Sequence, residues 1–286
     1  MPALIDLRRR IKSVRNTQKI TQAMKTVSTA KFKRAQRVVY EGRPQWHNLP
    51  VLLGRVSGWA GRQISPLLDS REEKKILAMV ITSDKGLAGA FNSNLLSRAA
   101  DFLEEKSSRA EIRLVLVGKK AVNFFKKAHF PVLRAHQEKI DRLTLGELKE
   151  IARFLMREYV FARTDSVYVL YNEFKSILAP RVTMARILPI PREEDGGRPP
   201  IVPDCEPDSA RILRSLLPLY VETAVVHCFF ESLAAEQAAR MMAMENATKN
   251  AEDLINDLVL VLNKIRQSSI TKELLEIMTA VEALSK

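Results

Sequence analysis

Leu254-Ile255-Asn256-Asp257-Leu258-Val259-Leu260-Val261-Leu262-Asn263-Lys264-Ile265-Arg266 lies within a run from Asp208 to Lys286 that contains no Gly and a single Pro, Pro218. Read as one helix at ~1.5 Å per residue, that run would extend roughly 115 Å, several times the width of a small domain. Pro218 is expected to kink the helix or split off a short first piece. Leu254, Leu258, Val261 and Ile265 step by four, three and four, and the pattern resumes at Leu275, Met278 and Val281. Such a stripe is a coiled-coil seam rather than the broad face of a core helix. The opposite side carries Glu245, Lys249, Glu252, Asp253, Lys264, Arg266, Lys272 and Glu273. Helices owe most of their stability to tertiary packing, so this one predicts a second helix to lie against.

The other end of the chain supplies it. From Ala3 to Tyr40 there is neither Gly nor Pro, and Leu4, Leu7, Ile11 and Val14 step by three, four and three, followed by Met24 and Val27, with Gln18 and Thr21 interrupting. Two matching narrow stripes at the two termini predict an antiparallel coiled coil. The seam period is nearer 3.5 than 3.6, which predicts a left-handed twist. The first helix is strongly basic, with Arg8, Arg9, Arg10, Lys12, Arg15, Lys19 and Lys25 against one early acid, Asp6. Gly42 and Pro44 could end it, but Leu49, Val51, Leu52, Val56 and Trp59 keep a helical pattern, so a kinked extension to about Ser57 is expected.

Between the termini the texture changes. Lys75 to Thr82 is a short apolar run of the kind that forms a strand buried on both faces. It leads through Ser83-Asp84-Lys85-Gly86-Leu87-Ala88-Gly89-Ala90 into a helix from Phe91 to Lys106. A strand at Ile112 to Val117, a helix near Lys119 to Ala128, a short apolar piece at Val132 and Leu133, and a helix from Thr144 to Ala162 follow. Thr144 and Glu147 have the spacing of a capping box. Strands at Ser166 to Phe174 and Val182 to Pro189 close the series, joined by a short turn that predicts an antiparallel edge. Alternation of this kind predicts a doubly wound, Rossmann-like α/β domain with a mostly parallel sheet, inserted between the halves of the coiled coil. The expected segments are 1–58 for the first helix, 74–190 for the α/β domain, 191–207 for a Pro-rich loop and 208–286 for the last helix.

The chain has 286 residues and a formal net charge of +13, which calls for an acidic partner: nucleic acid, an anionic membrane surface or acidic protein loops. No run resembles a transmembrane span, and Met1 to Arg15 lacks the apolar block of a signal peptide, so a cytoplasmic product is expected. Cys205 and Cys228 give neither a disulfide framework nor metal-ligand spacing. The loop after the first strand is where a doubly wound sheet binds ligands, and Gly86 with Gly89 could admit a phosphate, but neither G-x-G-x-x-G nor G-K-[ST] is present and Asp84 opposes an anion. A tight strand-to-helix turn is the expected reading. His47, His129, His136 and His227 are scattered, with no partners for a triad or a metal site. No catalytic, cofactor or metal residue is assigned.

Three stretches resemble the gamma subunit of the F-type ATP synthase. They are Arg10-Ile11-Lys12-Ser13-Val14-Arg15-Asn16-Thr17-Gln18-Lys19-Ile20-Thr21-Gln22-Ala23-Met24-Lys25, Glu236-Gln237-Ala238-Ala239-Arg240-Met241-Met242-Ala243-Met244 and Asn263-Lys264-Ile265-Arg266-Gln267-Ser268-Ser269-Ile270-Thr271. Ser83-Asp84-Lys85-Gly86-Leu87-Ala88-Gly89 matches as well, and the likeness runs the length of the chain in order. It implies a central rotor shaft, not itself catalytic, that couples proton or sodium translocation in the membrane sector to ATP synthesis or hydrolysis on alpha and beta subunits. The implied partners are one ring of alpha and beta subunits, the epsilon subunit and the membrane c-ring, with no nucleic acid and no cofactor. The implied location is the cytoplasmic face of a bacterial inner membrane, as a peripheral protein.

By the same resemblance Met24, Lys25, Arg266, Gln267 and Thr271 contact the beta subunits. Met278, Val281 and Leu284 form the apolar bearing tip, and Cys205, Glu206 and Asp208 belong to the foot on the rotor ring. The paired regulatory cysteines of the chloroplast form are absent, so thiol switching is not expected. From the residues alone, a basic coiled-coil protein for nucleic acid and a small α/β enzyme with a helical stalk stay open.

Overall fold

The computed structural model describes residues 2–57, 65–137, 140, 143–176, 180–191 and 209–284. Helix α1 spans Pro2–Ser57 and helix α5 spans Ser209–Leu284. Pro44 and Pro50 lie inside α1 and Pro218 inside α5, each removing one backbone N–H from its ladder. The last helix nevertheless runs through Pro218 without being split, and Leu213, Leu217 and Val221 on either side of it are buried. The contacts divide the chain into two compact units, Met1–Ser28 with Met241–Lys286, and Thr29–Arg240.

In the first unit α1 and α5 form an antiparallel pair. Ile11, Ile255 and Leu258 are buried together, with Leu7, Val14, Val259 and Leu262 packed against them. Further along α1, and further back along α5, the Thr21 and Thr248 hydroxyl oxygens are 2.8 Å apart and Lys25 Nζ is 2.9 Å from Glu245 Oε1. The seam expected from the sequence is thus offset. Leu254 and Val261 are 39% and 46% exposed, whereas Ala251, Ile255 and Leu258 are buried. This part of α5 is apolar on two sides, and only the partner helix decides which side is covered. On α1, Val27 is 57% exposed while Thr21 and Ser28 are buried, so Thr21 belongs to the seam rather than interrupting it. Leu275, Met278 and Val281 do not continue a buried seam; they are 58%, 68% and 61% exposed.

The second unit is a three-layer α/β/α sandwich. Strands β1 (Lys75–Ile81), β2 (Glu111–Val117), β3 (Val132–His136), β4 (Ser166–Phe174) and β5 (Pro180–Leu188) lie in the order β3-β2-β1-β4-β5. The first four strands are parallel and β5 runs antiparallel to β4. The apolar piece at Val132 and Leu133 is a full edge strand. Its side chains are largely exposed, so it shows little of the burial signal by which strands are read from sequence.

Helices α2 (Phe91–Ser107), α3 (Lys119–Phe125) and α4 (Leu145–Val160) connect the strands. Side chains alternate along β1. Ile76, Ala78 and Val80 meet α2 and α3 through Leu95, Leu103, Ala121 and Phe125, while Leu77, Met79 and Ile81 join a larger core with α4 and the first third of α5. That explains why β1 is apolar at nearly every position. Thr144 accepts from Glu147 N, and Glu147 accepts from Thr144 N at 2.7 Å, closing the expected capping box. The stretch Arg211–Val281 of α5 contains a window long and apolar enough to cross a membrane, 44% of it buried within the protein.

Candidate functional site

In an open α/β sheet the natural ligand crevice lies beyond the C-terminal ends of the strands where strand order reverses, here between β1 and β4. In the second unit the protein's own helices occupy this place. Phe32, Ala35 and Val39 of α1 and Ala234, Ala235 and Ala238 of α5 pack with Ala88 of the loop after β1, Phe91 at the start of α2 and Phe174 at the end of β4. Phe32 meets Phe174 edge-on, centroids 5.3 Å apart.

The Ser83–Gly89 loop is tied from within. Asp84 accepts from the backbone N–H groups of Lys119 at 3.1 Å and Ile140 at 2.8 Å, so the acid thought to repel an anion itself satisfies the amides beside it. Thr82 Oγ1 accepts from Ala121 N at 2.8 Å. The backbone carbonyls of Lys85 and Gly86 face Arg240, whose Nη2 lies 3.3 Å from both. Arg240 is buried with Glu236, with Nη1 2.6 Å from Oε1. A loop that presents carbonyls to a buried guanidinium and commits its acid to the first amide of the neighbouring helix α3 is a structural turn, not a phosphate cradle. Leu87 and Gly89 take positive φ, 62° and 54°, to make it.

A second buried charge fastens α1 to the sheet. Glu231 accepts from Phe174 N at 2.8 Å and from Arg43 Nη2 at 3.2 Å, and Arg43 Nη2 also donates to Phe174 O at 2.9 Å. Burial pushes the Glu231 carboxyl above the usual carboxylate range, and the Phe174 amide and Arg43 only partly offset it. Glu236 and Arg240 lie in a stretch that carries the family resemblance, but nothing in its pattern gives them this role, and Arg43 and Glu231 stand in no motif. The one available signal is a charged residue on the apolar face of a helix, and that face is known only once the partner is placed.

The residues expected to contact other subunits lie on α1 and α5 in the first unit. Met24 is half-buried, and beside it Lys25 pairs with Glu245. Arg266, Gln267 and Thr271 are exposed, and Thr271 Oγ1 donates to Gln267 O at 3.0 Å. The two groups are not brought together. Glu245, opposite Lys25, and Arg266 are about 30 Å apart along α5. Met278 and Val281 are exposed with Ile270, Leu274 and Ile277, which form an apolar stripe on the last turns. Leu284 ends the helix, but its side chain lies outside the described residues, as do Cys205, Glu206 and Asp208. Cys228 is fully buried, and its thiol is pushed up to about 12 by burial.

A family model described as ATP synthase matches residues 3–284. The ATP synthase gamma chain of Pelotomaculum thermopropionicum is 43% identical over 285 residues, covering 99% of this chain and all of that one. The gamma chain of Desulforudis audaxviator is 44% identical over 303 residues, again with 99% and 100% coverage. Among solved structures, a chain of the Euglena gracilis mitochondrial ATP synthase superposes with a TM-score of 0.67 at 19% identity, covering 99% of this chain and 95% of that one. A chain from the central stalk and c-ring of the Tetrahymena thermophila enzyme gives 0.58 at 24% identity, with coverage of 80% and 99%. At those identities the structures speak for the fold, and the family rests on the sequence matches: the chain belongs to the ATP synthase gamma-chain family.

Proposed function

We propose that this chain is the central rotor shaft of an F-type ATP synthase. It couples ion translocation through a membrane c-ring to ATP synthesis or hydrolysis on surrounding alpha and beta subunits, and contributes no catalytic residue of its own. The observation that carries this is the antiparallel α1/α5 pair, in which a basic helix is zipped to one that runs on with uncovered apolar and polar side chains to Val281. A globular enzyme has no use for such an extension. A shaft needs an asymmetric surface that favours a different nucleotide affinity in each beta subunit as it turns, which is a coupling of binding free energies.

In this reading Met24, Lys25, Arg266, Gln267 and Thr271 meet beta subunits, and Met278, Val281 and Leu284 turn in an apolar bearing. Cys205, Glu206 and Asp208 approach the c-ring, and the inserted domain of 74–190 takes the epsilon subunit. Exposed arginines and lysines on α1 suit acidic loops, since exposed pairs worth ~0–1 kcal/mol each can hold a rotor without locking it. The protein then sits peripherally at the cytoplasmic face of a bacterial inner membrane.

The test is native mass spectrometry of the chain co-expressed with its alpha and beta subunits. One copy per alpha-beta ring, with ATPase activity that depends on it, is the expected result. A free monomer or self-dimer beside an unaltered ring would overturn the proposal.

A further inference from the structure

The second unit carries a groove of about 760 Å³ that the shaft function does not use. It runs along α4 and is lined by Arg134, Arg153, Arg157, Met156, Val160 and Phe161, with Leu67 and Pro218 among the remaining walls. Its volume falls within the range of small-molecule sites, which pair an apolar floor with a few convergent polar groups. Phe161, at the end of α4 where Ala162 turns the chain away with φ 53°, is 65% exposed, and the Arg163 guanidinium lies over its ring, 5.8 Å from the centroid.

The groove's charge is arranged in a row. Arg153, Arg157 and Phe161 are each four residues apart and so share one face of α4, one turn above another. Arg153 is held by Glu222 at 3.0 Å, and Arg134 on the facing strand lies over the Phe154 ring at 4.0 Å. Arg157 makes no ion pair among the described residues, and Glu150 is the one acid in the lining. Three guanidiniums beside an exposed aromatic ring suit a ligand with a flat base at one end and a polyanion at the other. Arginine matches phosphate oxygens bidentately, and a base stacks on an aromatic face whatever its sequence context.

We infer that this groove binds a nucleoside polyphosphate, with the base on Phe161 and the phosphates on Arg157, Arg153 and Arg134. The site is on the α4 side of the sheet and separate from the strand-end crevice that α1 and α5 fill.

Calorimetry on the purified full-length chain with ATP, adenosine, tripolyphosphate and dodecyl phosphate tests it. ATP should bind saturably and at least about tenfold more tightly than tripolyphosphate, with adenosine undetected, because stacking and charge both contribute. Arg157→Glu should weaken ATP about tenfold or more, while Phe161→Ala should bring ATP to the level of tripolyphosphate and leave tripolyphosphate unchanged. On the unmodified chain, photolabelling with an azido-adenine analogue of ATP should mark the peptide containing Val160 and Phe161. The inference is overturned by the absence of saturable ATP binding, by equal affinity for ATP and tripolyphosphate, by dodecyl phosphate binding in preference to ATP, or by a label elsewhere on the chain.

Discussion

Glu231 is a carboxylate that the fold holds at a cost. Its burial disfavours the charge, while Phe174 N–H and Arg43 require an acceptor in its place. Glu231→Gln keeps an acceptor for the amide and removes the buried charge, so a change within about 1 kcal/mol is expected. Glu231→Ala strands the Phe174 amide, leaves Arg43 only Phe174 O to donate to, and should cost about 2–4 kcal/mol, read as a lower urea midpoint by circular dichroism. The pH dependence has a definite sign. With the folded-state pKa raised above an unfolded value of about 4.3, the folded chain binds more protons, so this group's contribution to stability declines as pH rises from that value through the folded pKa. The Gln variant should lack that slope, and an identical slope in both would show that the carboxyl is not buried as described. Gly118 is a second residue fixed by sterics. At φ 106°, an added Cβ would lie 2.5 Å from Thr82 O, so Gly118→Ala should destabilise the α/β unit by about 2 kcal/mol or more in the same assay.

At the level of the element, the α1/α5 seam in the first unit joins an apolar layer at Ile11, Ile255 and Leu258 with a hydroxyl pair at Thr21 and Thr248. One hydroxyl of the Thr21–Thr248 pair donates across the seam, and either can instead donate to its own helix, Thr21 to Gln18 O at 3.0 Å and Thr248 to Met244 O at 2.7 Å. Each therefore has a fallback, and Thr21→Val or Thr248→Val alone should cost no more than about 1 kcal/mol. The double valine variant should be more stable than wild type, because two β-branched apolar side chains replace a polar layer without leaving an orphan. A double-mutant cycle by urea unfolding of the full chain measures this, and a double variant less stable than either single one would mean that the hydroxyl pair contributes more than its geometry suggests.

For the whole molecule, the shaft reading makes activity on other chains depend on residues far from any nucleotide. Arg266 and Gln267 are exposed and form no part of either unit's core. Changing both to Ala should leave the helical content of the chain unaltered yet lower the ATPase activity of the assembled complex about tenfold, or impair its assembly. That magnitude corresponds to ~1.4 kcal/mol lost from contacts made in only some rotary states. Normal activity and normal assembly together would remove these two residues from the beta-subunit contact.

Periodicity of the terminal runs, free of Gly but for Gly42 and Gly54, was enough to determine two long antiparallel helices, and alternating apolar runs with the Thr144/Glu147 cap were enough for the inserted sheet, because both signals are local and repeat many times. The motifs at Arg10 to Lys25 and Asn263 to Thr271 were long enough to indicate the family. Which side of α5 is covered was decided only by the tertiary structure. Leu254 and Ile255 are equally apolar, and burial depends on a partner more than two hundred residues away. The same holds for the Ser83–Gly89 loop. Its sequence allows a ligand crevice, and it is the packing of Ala234, Ala235 and Ala238 against Phe91 and Phe174, with Arg240 on the loop carbonyls, that fills that crevice with the protein itself.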